Sequence, residues 1–318
     1  MRRRKVLVLG GSGMLGHKLN HVLSADPGLE VLSTVRRALD PRFAAPAVRY
    51  LPGVDLGGGA AVRALLEETA PDVVVNAVGA IKQKDLYAAV DETFHVNGTL
   101  PHLLALLNPN PAGRVIHFST DCVFRGDRGG YTEADRPDAQ DLYGRSKALG
   151  EVDYGRHLTL RTSIIGFETA GHLGLLSWFF AQPPGSALKG YRNAIYSGLP
   201  TLTLSRAVLQ IVADGDTLCG LYQIASEPID KLELLRRVNE AFGLGHVLRP
   251  DDALRIDRSL DDGRFRAATG TTRPGWDALV EDLVRDYRSL PYAGVYAALR
   301  RPGPAADPRL KEDDDSQS

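Results

Sequence analysis

Residues 6–16 read Val-Leu-Val-Leu-Gly-Gly-Ser-Gly-Met-Leu-Gly, and this stretch decides the fold. Four apolar residues in a row mark a strand buried on both faces, as in a parallel sheet. The glycines that follow allow a tight turn and a close backbone approach to a ligand, and an apolar-periodic segment then runs on through Leu23 as a helix. A glycine-rich turn between a strand and a helix N-terminus is a place for a pyrophosphate, because unpaired N–H groups and the helix dipole both favour negative charge there. Gly10, Gly13, Met14, Leu15 and Gly16 are the residues expected to meet it.

Working outward, short Val/Leu runs alternate with helical segments. Val31 to Val35 is the second strand, and a loop rich in Pro and Gly leads to a helix over Ala60 to Thr69. A strand over Asp72 to Gly79, a long helix over Asp85 to Leu107 and a buried strand over Val115 to Ser119 follow. Repeated β-α-β units give an α/β protein with a doubly wound parallel sheet. From about Leu173 the pattern is less regular. Helices are expected over Leu204 to Ala213 and Lys231 to Phe242, with a strand over Leu221 to Ala225 between them. We read residues 1–170 as the nucleotide-binding domain and 171–300 as a smaller substrate-binding lobe, some of which returns to the sheet. Residues 301–318 have almost no apolar content and are expected to be disordered.

Composition excludes several classes. The 318 residues carry 38 Lys plus Arg against 39 Asp plus Glu, so no basic excess marks a nucleic-acid binder. No apolar run approaches the ~20 residues of a membrane span, and the basic start is followed by too short an apolar run for a signal peptide. Two cysteines make no disulfide framework. The expectation is a soluble cytoplasmic enzyme with no metal. His17 and His21 have metal-ligand spacing but lack a third ligand, and read as surface or helix-packing residues.

At the end of the second strand stand Thr34-Val35-Arg36-Arg37, with no acid before Asp40. An acid there would bind a ribose diol, whereas a guanidinium suits a 2′-phosphate. Arg36 therefore favours NADPH/NADP+ over NADH, unless both arginines are merely solvated charges. Further on, Ser119-Thr120-Asp121-Cys122 ends a strand, and Tyr143-Gly144-Arg145-Ser146-Lys147 follows. Tyr and Lys four apart share a helix face. A Lys ammonium beside a phenol favours the phenolate, which makes Tyr143 a proton donor or acceptor at a carbonyl. The Thr120 hydroxyl is placed to hold the same oxygen.

Gly10-x-x-Gly13-x-x-Gly16 with Tyr143-x-x-x-Lys147 resembles the extended short-chain dehydrogenase/reductases, with their Rossmann-type sheet. The stretches STDCVFRG (residues 119–126), LYGRSKALGE (142–151) and LRTSIIG (160–166) are similar to the dTDP-4-dehydrorhamnose reductase branch. YSGLPT (196–201) and DRSLD (257–261) extend the likeness thinly. The resemblance implies an NADPH-dependent reductase of a nucleotide-linked 4-keto-6-deoxysugar, with Thr120, Tyr143 and Lys147 catalytic. It also implies that Asp55 and Leu56 approach the adenine, and that Ala77, Val78, Gly79 and Ser119 line the cofactor. Asn97 matches the family's helix asparagine, or else caps or kinks the helix near Pro101. A homodimer is expected.

Cys122 departs from the branch, which usually carries Tyr there. Epimerase/reductases of related sugars have Ser-x-Cys at this strand end and a His in a Gly-His-apolar stretch, matched here by Thr120-x-Cys122 and His172. A thiol and an imidazole can exchange protons next to a ketone. Epimerisation before reduction is thus an alternative. A different class, a non-catalytic NADP-binding regulatory subunit, would have no use for the Thr-Tyr-Lys set. Arg161 faces either a substrate phosphate or an internal carboxylate, Cys219 reads as structural, and Trp178-Phe179-Phe180 as lobe core.

Overall fold

The computed structural model describes residues 2–36, 39–81, 86–170, 173–215 and 217–299. The strands in chain order are β1 (Arg4–Leu9), β2 (Leu29–Val35), β3 (Val48–Pro52), β4 (Val73–Asn76), β5 (Arg114–Ser119) and β6 (Leu158–Arg161). They continue with β7 (Ile164–Ile165), β8 (Ala187–Tyr196), β9 (Leu199–Pro200), β10 (Gly220–Gln223), β11 (Ile229–Asp230) and β12 (Val247–Asp257). The helices are α1 (Met14–Leu23), α2 (Gly59–Thr69), α3 (Val90–Phe94), α4 (Leu100–Leu107), α5 (Leu142–Leu149) and α6 (Leu175–Ala181). After them come α7 (Thr201–Ala213), α8 (Lys231–Phe242), α9 (Gly263–Thr269), α10 (Trp276–Ser289) and α11 (Tyr292–Leu299).

Seven strands form one parallel sheet in the order β10-β6-β5-β4-β1-β2-β3. The order reverses between β1 and β4, so the loops after these strands diverge and open a crevice at their carboxyl ends. Strand alternation divides the core into two layers. Leu7, Leu9, Val74 and Val115 pack with α2 and α4, while Val6, Val8, Val75 and Ile116 pack with α1 and α7. Each such buried side chain contributes about 1.5–3 kcal/mol of transfer free energy.

The structure refines three expectations. The Pro- and Gly-rich segment after β2 contains β3, an edge strand whose residues are only half-buried, so it lacks the apolar run of a central strand. The strand expected over Leu221 to Ala225 is β10, whose partner the sequence left open; it pairs with β6 and forms the other edge of the main sheet. The helix expected from Asp85 begins at Val90, and residues 82–85 lie outside the described residues. It also widens into a π turn over His95–Thr99, because Pro101 has no N–H for the carbonyl of residue 97.

The second, three-stranded sheet (β11-β8-β12) was not read from the sequence at all. Its long strands β8 and β12 are mostly exposed or half-buried and have no apolar run. Helices α10 and α11 were likewise unread; Tyr287, Tyr292 and Tyr296 from them pack on Phe167 and Phe180. Single bridges, Asp127 to Asp257 and Tyr131 to Leu260, tie the loop after β5 to the end of β12 and beyond. The lobe is thereby fastened beside the carboxyl end of the main sheet. Residues 301–318 lie outside the described residues.

Candidate active site

The glycine turn is built by its neighbours. Thr34 of β2 accepts from Gly10 N–H through its hydroxyl at 3.2 Å and from Gly11 N–H through its carbonyl at 2.8 Å. Gly10 has φ +83°, a conformation that favours glycine. A Cβ at Gly16 would lie 2.0 Å from the Gly10 carbonyl oxygen, so only glycine lets α1 start this close to the turn. Gly13 caps α1 with no side-chain hydrogen bond, and the first turn holds no acid. Its leading N–H groups are therefore left for an anion. Arg36 follows β2 and is exposed, while Arg37 lies outside the described residues.

On the other side of the crevice, Asn97 sits fully buried in the π turn. It accepts from Ala80 N–H at 2.9 Å and donates to the Ala80 carbonyl at 3.2 Å and to Ser146 Oγ at 3.1 Å. The asparagine thus clamps the loop that carries Ala77, Val78 and Gly79 onto α5. Asp55 receives Gly57 N–H at 2.7 Å, and the Leu56 carbonyl accepts from His95 at 2.6 Å.

Helix α5 starts at Asp141, whose carboxylate accepts from Gly144 N–H at 2.9 Å. A Cβ at Gly144 would fall 2.2 Å from the Cys122 carbonyl oxygen, so glycine lets the helix lie against the strand-end turn. That contact brings the Tyr143 phenol close to the Thr120 hydroxyl. Thr120 Oγ1 accepts from Cys122 N–H and donates to Asp121, both at 3.1 Å. Burial, then the Cys122 thiol, push the Tyr143 phenol above its usual range, and the neighbouring Thr120 hydroxyl opposes them. This corrects the expectation that Lys147 would make the phenol acidic. The lysine nitrogen instead donates to the Phe118 carbonyl at 2.6 Å and lies 3.4 Å from His117 Nε2. Burial pulls it down to about 8, with Glu151 acting the other way.

The structure resolves the role of Arg161: it is bidentate on Glu151, both contacts at 2.7 Å, and Ser119 Oγ donates to the same carboxylate at 2.6 Å. Arg161 therefore meets an internal carboxylate. Cys122 Sγ is 3.8 Å from Arg258 of the DRSLD stretch, whose Nε donates to the Phe124 carbonyl at 2.8 Å. His172 lies outside the described residues. Cys219, expected to be structural, is an exposed thiol. His17 is fully buried and packs α1 against Tyr292. Among the described residues no group of three or more His, Cys, Asp or Glu could hold a metal, and no helix is long and apolar enough to cross a membrane.

Sequence reasoning missed Asn76, His117 and Glu151. The signal was present for the first two: each is a polar residue inside an otherwise apolar strand, VVVN and VIHFS.

The family model described as RmlD substrate binding domain matches residues 4–172. A dTDP-4-dehydrorhamnose reductase from Burkholderia thailandensis is 33% identical over 93% of this chain and 83% of its own length. A probable dTDP-4,6-dihydroxy-2-methyloxan-3-one 4-ketoreductase from Streptomyces antibioticus is 34% identical over 94% of both chains. Among solved structures, the dTDP-4-dehydrorhamnose reductase of Bacillus anthracis in complex with NADP superposes with a TM-score of 0.71. It covers 90% of this chain and all of its own, at 17% identity, a likeness of fold.

Proposed function

Because the chain belongs to the RmlD family of dTDP-4-dehydrorhamnose reductases and their relatives, we propose that it reduces the C4 ketone of a nucleotide-linked 4-keto-6-deoxysugar with NADPH. The observation that carries this is the convergence of Thr120 and Tyr143, with Lys147 one turn on, at the carboxyl end of β5, across the crevice from an uncapped α1.

The residues present fit the dinucleotide. Gly10, Gly13, Met14, Leu15 and Gly16 would hold the pyrophosphate, Arg36 the 2′-phosphate, and Asp55 and Leu56 the adenine side. Ala77, Val78 and Gly79, clamped by Asn97, would line the crevice, with Ser119 at its base and Lys147 at the nicotinamide ribose. When bound, NADPH supplies the hydride that the ketone carbon receives. Tyr143, protonated well above neutral pH, donates its hydroxyl proton to the ketone oxygen. Thr120 would orient that oxygen by turning its one hydroxyl proton from Asp121 to the ketone, while Cys122 N–H still donates to its Oγ1.

Cys122 adds a second reading. Its thiol lies beside Arg258 and acts electrostatically on Tyr143, so it belongs to the substrate side of the pocket. Paired with His172, it would exchange protons next to the ketone before reduction. The protein is expected to be cytoplasmic and homodimeric, which fractionation and light scattering would check.

The test is a mass spectrum of products from protein, NADPH and a panel of nucleotide 4-keto-6-deoxysugars in D2O. A gain of two hydrogens, absent in Tyr143→Phe, supports the reductase. Further carbon-bound deuterium that Cys122→Ser abolishes supports epimerisation; exchange untouched by that change rules out the thiol. Tight NADPH binding with no turnover on any sugar would favour the regulatory-subunit class.

A further inference from the structure

Two buried polar side chains at the carboxyl end of the sheet have no place in the scheme above. Asn76 ends β4, and His117 is its register partner on β5; both are buried. Asn76 Oδ1 accepts from Val78 N–H at 3.2 Å, which turns its amide nitrogen toward His117 Nδ1 at 3.1 Å. The Val78 bond thus decides the amide's orientation. An amide N–H only donates, so Nδ1 accepts and the ring hydrogen sits on Nε2. Nε2 faces the Lys147 nitrogen at 3.4 Å, and that nitrogen's other partner is the Phe118 carbonyl at 2.6 Å. A ring N–H aimed at a buried nitrogen repels an ammonium and donates to a free amine; a bare Nε2 would do the reverse.

We infer that His117, its tautomer fixed by Asn76, is a positioning residue for Lys147: it seats the lysine nitrogen beside the Phe118 carbonyl and controls whether that nitrogen keeps its third proton. This rests on the reading of Lys147 as the cofactor-anchoring lysine. The other titratable or charged groups around the pair are Tyr143 one turn back on α5, Glu151 just past it, His102 of α4, and Arg161 of β6 behind Glu151. Burial and the Lys147 charge keep His117 neutral, so the ring acts through its dipole and not as a second cation. Asn76, on the strand next to that of His117, thereby helps to set the pH at which the ammonium is lost, and the cofactor anchor with it.

Two variants test this in the cofactor-free protein, read by acetic anhydride labelling of Lys147 against pH with the exposed Lys189 as internal reference. In Asn76→Asp a carboxylate accepts from Nδ1–H, and Nε2 becomes an acceptor for the ammonium. In His117→Phe the Nε2–H is removed at similar volume. Both are expected to raise the Lys147 midpoint by about one unit, which reads as about fivefold slower labelling at pH 8. In the double variant the carboxylate has no ring to act through, so its added shift measures bare charge alone. A labelling curve unmoved in the folded His117→Phe protein, or moved downward, overturns the inference. Should that variant fail to fold, an Asn76→Asp curve that is unmoved or moved downward does the same. If sugar reduction is also seen, its alkaline limb moves with the labelling curve. If labelling moves but no sugar is reduced, the positioning role stands and the reductase reading falls.

Discussion

His17 should make the protein lose stability on mild acidification, by an amount the structure fixes. Its ring is fully buried, 2.9 Å from the Gly13 carbonyl through Nδ1 and 2.5 Å from the Tyr292 hydroxyl through Nε2. The carbonyl only accepts, so the proton sits on Nδ1, and Tyr292 donates to Nε2. Both nitrogens are satisfied in the neutral form. Burial first, and the neighbouring Lys18 ammonium second, depress the ring's pKa from 6.5 to about 3. Between those two values the unfolded chain binds a proton that the folded chain refuses, so stability falls as pH falls through the window. At pH 4.5 one such group has cost about 2.7 kcal/mol relative to neutral pH, a large share of the ~5–15 kcal/mol that holds a domain together. Urea unfolding followed by circular dichroism from pH 7 to 4.5, on wild type and His17→Asn, isolates it from the other depressed histidines. Asparagine keeps a donor near Nδ1 and cannot titrate. The variant starts less stable but should lose about 2.7 kcal/mol less on acidification than the wild type. Equal losses in both proteins, or a His17 imidazole titrating near its ordinary value, would refute the reasoning. Because the same ring holds the Gly13 carbonyl, NADPH affinity should fall along with stability.

Tyr143→Phe should keep the fold and lower kcat about 10²–10⁴-fold, the usual worth of a positioned general acid, and steady-state NADPH oxidation would measure it. Arg36→Asp should weaken NADPH relative to NADH in titrations of nucleotide fluorescence, and equal use of both by the wild type would contradict the 2′-phosphate role. Gly16→Ala places a methyl 2.0 Å from the Gly10 carbonyl oxygen, so α1 must retreat and NADPH binding should be lost in calorimetry. Glu151→Gln breaks a bidentate pair whose Arg161 is almost wholly buried, at a cost of about 3–5 kcal/mol in urea unfolding. Replacing both partners by Leu and Met should recover most of that loss.

What the sequence disclosed of the fold follows from where apolar runs are obligatory. Val6–Leu9 and Val73–Val75 lie between two helical layers, so every residue must be apolar and the run is conspicuous. β3, β8 and β12 lie at an edge or in the lobe, keep polar residues on their exposed positions and send no such signal. β10 was legible as a strand but not by its partner, because partner choice resides in the register with β6 and not in four residues of its own. The π turn was legible only as a conflict: an asparagine and a proline inside a helical pattern, which the structure resolves by letting Asn97 bond the loop at Ala80.

The site was legible as a set of residue types and illegible as a set of partners. A Tyr and a Lys four apart do share a helix face, but the distance to β5 decides what each meets, and the lysine meets a backbone carbonyl and not the phenol. That separation changes the assignment of roles. A phenol held protonated by burial is a donor ready for a new alkoxide, and it needs no ammonium to make it so. The lysine is pulled down to about 8, within reach of a change of charge near neutral pH. The two titrations are thereby pushed apart, one upward and one downward, which is how a site assigns proton donor and cation anchor to different side chains. The first cause of both shifts is burial, and behind the lysine stand two residues that break the apolar rule of their strands. Asn76 and His117 occupy positions where Val or Ile would pack better, and burying them is tolerable only because each finds a partner. A polar residue that interrupts a buried strand near its carboxyl end therefore marked the machinery behind the Tyr-x-x-x-Lys pair, and sequence periodicity alone would have located it.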